Sequence, residues 1–119
     1  MGIANERSIA WGIAHEAYQN GAKLCLTYQN ELFKERIYKL ASTVDCNFIL
    51  NCDVENKSNI KKLFDKISSV WGEIDFIVHA MAFSDKNELK GEFYNTTKEN
   101  FNRTMLISSF SLTEICKEA

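Results

Sequence analysis

The chain has 119 residues, 45% of them hydrophobic and 25% charged, with a formal net charge of −2. That length holds one domain at most, and the composition excludes a disordered segment. The mildly acidic balance leaves no footprint for DNA or RNA.

Lys57–Lys66, the most lysine-rich stretch, is interrupted by Asn59, Leu63, Phe64 and Asp65, so it reads as the solvated face of a helix. Cys25, Cys46, Cys52 and Cys116 form no C-x-x-C pair and have no His at ligand spacing, so no metal site is expected. Unpaired cysteines fit a reducing, cytoplasmic compartment. No signal peptide is expected from the opening residues, and no apolar run approaches the ~18 residues needed to cross a bilayer.

In chain order, Ser8 reads as the N-cap of a helix Ile9–Asn20, with Ile9, Ile13, Ala14 and Ala17 on one face and Asn20-Gly21 as its stop. The short apolar run Lys23–Tyr28 lacks strict alternation and predicts a strand covered on both faces. A second helix, Glu31–Ala41, carries Leu32, Phe33, Ile37 and Leu40 as its apolar stripe. Asn47–Cys52 predicts another strand. Lys57–Trp71 repeats Ile60, Leu63, Phe64, Ile67, Val70 and Trp71 at helical spacing, and Gly72 stops it. Ile74–Ala80 predicts a third strand. After a polar loop, Thr96-Thr97-Lys98-Glu99 has capping-box spacing and opens a last helix to Ala119, with Phe101, Met105, Ile107 or Ser108, and Leu112 inward.

Helices alternating with strands predict an α/β fold, a doubly wound parallel sheet of the Rossmann type in three α/β/α layers. Met1-Gly2 leaves no room for a strand before the first helix, so the expectation is a partial domain over residues 1–119, truncated at both ends.

In open parallel sheets, ligands bind at the carboxyl ends of the strands. The relevant segments are Gly2–Ile9, Tyr28-Gln29, Asp53-Val54 and Ala80–Ser84. The first is not a G-x-G-x-x-G fingerprint, but it fits a turn that brings backbone N–H groups and a helix N-terminus to a pyrophosphate. Asp53 reads equally as a turn residue, His79 as a satisfied core histidine, and Trp11 and Trp71 as packing residues.

Ser8-Ile9-Ala10-Trp11-Gly12-Ile13-Ala14, Thr27-Tyr28-Gln29-Asn30, Cys52-Asp53-Val54 and Val78–Ser84 occur in that order along the chain. Together they resemble the bacterial and plastid-type enoyl-[acyl-carrier-protein] reductases, a divergent branch of the short-chain dehydrogenase/reductase superfamily. The resemblance implies an NADH-dependent enzyme that reduces the trans-2 double bond of acyl carrier protein thioesters in fatty acid biosynthesis and assembles as a homotetramer. It implies that Gly2 lines the pyrophosphate turn and that Ser8 and Ile9 meet the pyrophosphate. Gln29 would face the adenosine ribose, Asp53 and Val54 would hold the adenine, and Met81 would place its backbone beside the ribose. Ser84 falls where the family's loop touches the acyl substrate. Members often carry Gly at the position of Ala82 and Ala at that of Ser84.

Gln29 also bears on cofactor choice, because a 2′-phosphate needs Arg or Lys there and a neutral amide supplies no charge. The family's catalytic tyrosine and lysine follow a Y-x6-K pattern that no tyrosine here satisfies. The catalytic pair is therefore expected beyond Ala119, and residues 1–119 alone are expected to bind NADH weakly and to melt broadly. Two other readings use the same residues. A signalling receiver domain with Asp53 as phosphoacceptor would need an acidic pair at the first strand, which Gly2–Asn5 does not offer. A non-catalytic nucleotide-binding module would lack the Y-x6-K segment altogether.

Overall fold

β1 (Cys25–Tyr28) and β2 (Phe48–Asn51) pair in parallel, from Cys25 opposite Phe48 to Tyr28 opposite Asn51, in the computed structural model, which describes residues 1–119. Around them run α1 (Ile9–Gln19), α2 (Glu31–Ser42), α3 (Lys57–Trp71), α4 (Lys98–Met105) and α5 (Ser111–Glu118). Side chains alternate across a strand, and here the alternation divides the core in two. Leu26, Tyr28 and Ile49 pack with α1 and α2 around Ile37. Cys25, Phe48 and Leu50 pack on the other face with α3 and α5, around Ile60 and Ile115. Burying each of these isoleucines contributes about 1.5–3 kcal/mol. Helices therefore cover both faces of a parallel pair, as the strand–helix alternation predicts.

Local caps set the helix starts. The Asn30 and Asn56 side chains accept from the N–H groups of Leu32 and Ser58, which opens α2 and α3. Gly72, with φ at +81°, stops α3.

Several expectations need correction. Ile74–Ala80 forms no strand of the sheet, which has two strands only. Its one backbone partner is Met1, whose N–H donates to Val78 O at 2.7 Å and whose carbonyl accepts from Ala80 N at 3.2 Å. That is one rung of a parallel ladder. Beyond it, a mostly apolar groove of about 410 Å³ separates Ile74–Val78 from Leu24–Thr27, with Ala14 and Phe64 among its walls. A strand needs a neighbour, and the space where the neighbour would lie is this groove.

The last helix is also not continuous. A π turn, Leu106–Phe110, separates α4 from α5 and shifts the phase of everything after it. Asn100, Ile107, Ser111 and Ile115 point inward, whereas Phe101, Met105 and Leu112 are exposed. The N-cap of α4 is Thr97, which accepts from Asn100 N, one residue after the Thr96 that the capping-box spacing implies; Glu99 therefore falls one position short of closing the box. Glu88 takes that role, accepting from both the N–H and the hydroxyl of Thr97 at 2.8 Å. Those bonds hold the Glu88 carboxyl below its ordinary range. In α1 and α2, Ile9 and Leu32 are exposed rather than packed, and Trp11 and Ala41 take core places.

Candidate functional site

Four loops meet at the carboxyl ends of the parallel segments. Gly2–Ala4 precedes α1, Gln29 follows β1, Cys52–Val54 follows β2, and Ala80–Phe83 lies at the end of the Ile74–Ala80 extended segment. Together they line a cavity of about 190 Å³. Of the residues singled out in the sequence, Gly2, Gln29, Asp53, Val54 and Met81 line it; Ser8, Ile9 and Ser84 do not.

Gly2 sits at φ +98°, a conformation that costs L-residues energy. A Cβ placed there would lie 2.1 Å from Ala80 O and 2.5 Å from Ala80 C. The turn before α1 and the end of the extended segment thus touch through bare backbone, a contact that only glycine permits at position 2.

Ser8 does not use its side chain to cap α1. Its Oγ donates to Asn5 O and accepts weakly from Ala4 N and Asn5 N at 3.3 and 3.4 Å. The hydroxyl thereby ties the 4–8 loop to itself, and the first-turn N–H groups of α1 stay free of a side-chain cap. Those groups and the helix dipole suit an anion. The Ile9 side chain is exposed, so only its backbone N–H belongs to that first turn.

Gln29 is held by its backbone. The Asn51 amide donates to Gln29 O at 2.9 Å and to Tyr28 O at 3.3 Å. The Gln29 side chain is thus free at the cavity rim. Neither nearby cation is free. Lys34 pairs with Glu31 at 3.0 Å, and Arg36 donates to Ala4 O at 3.0 Å. Asp53 is partly a turn residue, its Oδ1 accepting from Glu55 N at 3.1 Å. The second carboxylate oxygen remains available beside the buried Val54.

The Ala82–Asp85 loop is stitched to the helices behind it. Phe83 N donates to Ser108 Oγ at 3.0 Å, Asp85 N donates to Asn100 Oδ1 at 2.9 Å, and Asn100 Nδ2 donates to Ser84 Oγ at 3.1 Å. Ser84 is therefore committed to Asn100 at the edge of the cavity. His79 is half-buried against Ser111 Oγ at 2.7 Å, and burial pushes its pKa down. It is the satisfied core histidine expected from the sequence.

Sequence reasoning did not single out Phe33, Phe83 and Ile107, which supply apolar walls. Phe33 sits at a core-like helical spacing and gave no signal of a ligand. No cysteine is a nucleophile candidate here. Burial drives the Cys25 thiol up to about 12 and Cys52 to about 11, so both stay protonated. No three His, Cys, Asp or Glu side chains gather as a metal site, and no helix is long and apolar enough to cross a membrane.

A family model described as Enoyl-(Acyl carrier protein) reductase matches residues 2–119. Over 119 residues the chain is 52% identical to an enoyl-[acyl-carrier-protein] reductase [NADH] from Rhizobium meliloti, covering 100% of this chain and 44% of that protein. The structure of FabI from Candidatus Liberibacter asiaticus superposes with a TM-score of 0.97 at 50% identity, over 100% of this chain and 46% of that one. An Anaplasma phagocytophilum enoyl-(acyl-carrier-protein) reductase in complex with NAD gives a TM-score of 0.95 at 43% identity, over 99% and 45%. The chain thus spans about half the length of the relatives it matches. The chain belongs to the enoyl-(acyl carrier protein) reductase family.

Proposed function

We propose that this chain is the cofactor-gripping part of an NADH-dependent enoyl-[acyl-carrier-protein] reductase, a cytoplasmic enzyme of fatty acid biosynthesis. The observation that carries the reading is the meeting of Gly2, Gln29, Asp53, Val54 and Met81 around one cavity at the strand ends. The bare-backbone approach at Gly2 and the uncapped first turn of α1 suit a pyrophosphate. Asp53 and Val54 suit an adenine, one through a free carboxylate oxygen and the other through its backbone.

NADH, when bound, supplies the hydride for the trans-2 double bond of the acyl thioester. The residues of this chain bind the dinucleotide, orient it and wall one side of it from water. Ser84 lies on the loop facing the acyl chain. The tyrosine and lysine that would stabilise the developing enolate belong to a Y-x6-K segment outside residues 1–119. The same reading makes residues 1–119 part of an NAD-binding domain, with the 410 Å³ groove the place for a further parallel strand. Exposed Phe101, Met105, Phe110 and Leu112 offer an apolar surface for the proposed homotetramer.

Steady-state turnover by the complete protein tests the reading. Adding a trans-2-enoyl thioester of acyl carrier protein should consume NADH mole for mole and yield the saturated acyl thioester. NADH left unconsumed, with the thioester recovered intact, would overturn it.

A further inference from the structure

Arg103 stands outside every motif described above, yet it connects two walls of the nucleotide cavity. Its Nε donates to Glu55 Oε1 at 2.8 Å and its Nη2 to Glu55 Oε2 at 2.9 Å, a two-pronged fork 48 residues apart in sequence. The same guanidinium lies over the Phe83 ring, 4.4 Å from its centroid. Glu55 is covalently next to Val54, and both Val54 and Phe83 line the cavity. The adenine-side turn and the substrate-side loop are thus each one contact from a single side chain on α4.

Electrostatics add to the geometry. The Arg103 guanidinium holds the Glu55 carboxyl below its ordinary range, and Asp53 and Asp85 also bear on Arg103.

We propose that Arg103 is a positioning residue that sets the separation between the Val54 and Phe83 walls and so tunes the affinity for the dinucleotide. This rests on the cavity being the NADH site. Lysine would not replace it, because a point charge can neither fork onto a carboxylate nor stack flat on a ring. The pair is partly exposed, which limits its effect, but its two-pronged geometry and the stacked ring place it above an isolated surface ion pair.

Kinetics on the complete protein test the proposal. Arg103→Met should raise KM for NADH about fivefold to tenfold at low ionic strength while kcat stays within about twofold, the pattern of lost uniform binding. Glu55→Gln should move KM the same way, and the double variant should be no worse than Arg103→Met alone, since both remove one strut. Arg103→Lys should recover only part of the loss. Raising salt should narrow the gap between wild type and Arg103→Met, because the strut is screened.

A merely structural role would lower the melting temperature and kcat together and leave KM in place, and that result would refute the proposal. So would effects of the two single changes that add, or a KM for NADH unchanged in Arg103→Met and Glu55→Gln while the wild type binds NADH. A wild type with no NADH affinity would remove the underlying site as well. Glu55→Gln keeps the test decisive if Arg103→Met does not fold.

Discussion

Gly2→Ala is expected to reduce NADH affinity of the complete protein by about thirtyfold or more. A methyl group at Gly2 would sit 2.1 Å from Ala80 O, 2.5 Å from Ala80 C and 2.9 Å from Met81 N, all of them backbone atoms that cannot swing aside. The residue would also have to hold φ near +98° with a Cβ. Left-handed strain of roughly 1–2 kcal/mol and overpacking of roughly 1–3 kcal/mol together correspond to about thirtyfold at the low extreme and several thousandfold at the high one. The relief available is to part the Gly2 turn from Ala80-Met81, and both are walls of the cavity. Gly12→Ala is the matched control. A Cβ there meets nothing within 4 Å, and the position is inside α1, so the change should stabilise by about 0.5–1 kcal/mol. Equilibrium binding of NADH, with a thermal melt of each variant, checks both. Gly2→Ala binding NADH as wild type does would show that the turn does not approach the cofactor.

Gln29→Arg should improve kcat/KM for NADPH by about tenfold and weaken that for NADH only slightly. A charge-assisted hydrogen bond to a 2′-phosphate contributes roughly 1.5–3 kcal/mol, and the exposed position places the gain at the low end. The backbone at Gln29 is clamped by Asn51 at 2.9 Å, so the new side chain would start from an unmoved Cα. Wild type has no spare cation for the phosphate, because Lys34 is paired with Glu31 and Arg36 with the Ala4 carbonyl. Steady-state rates with both cofactors decide this. An NADPH preference in the unaltered protein would contradict the role assigned to Gln29.

The parts legible in the sequence were those governed by local rules. β1 and β2 lie within the predicted runs, and α3 spans Lys57–Trp71 as its spacing indicates. The cavity could be anticipated from strand ends, since the topology of a parallel sheet brings these loops together wherever they occur. What escaped was set by distant partners. Residues 74–80 have strand composition, but a ladder needs a neighbour that periodicity cannot supply. The inward face of the last helix lies one position away from the expected one: Asn100 is buried and Phe101 and Met105 are exposed before the π turn, and Leu112 is exposed after it, where one added residue changes the face with no local signal to mark it. Glu88, nine residues upstream of Thr97, accepts from the N-cap N–H that Glu99 was expected to take. Arg103 found Glu55 across two elements, a pairing that no spacing rule encodes.

The central claim is that the loops at the strand ends hold the dinucleotide. A crystal structure of the complete protein with NADH tests it most directly. The adenine should lie against Asp53 and Val54, the adenosine ribose beside Gln29, and the pyrophosphate over Gly2 and the first turn of α1. A dinucleotide seated elsewhere, with Gly2 and Asp53 untouched, would contradict it.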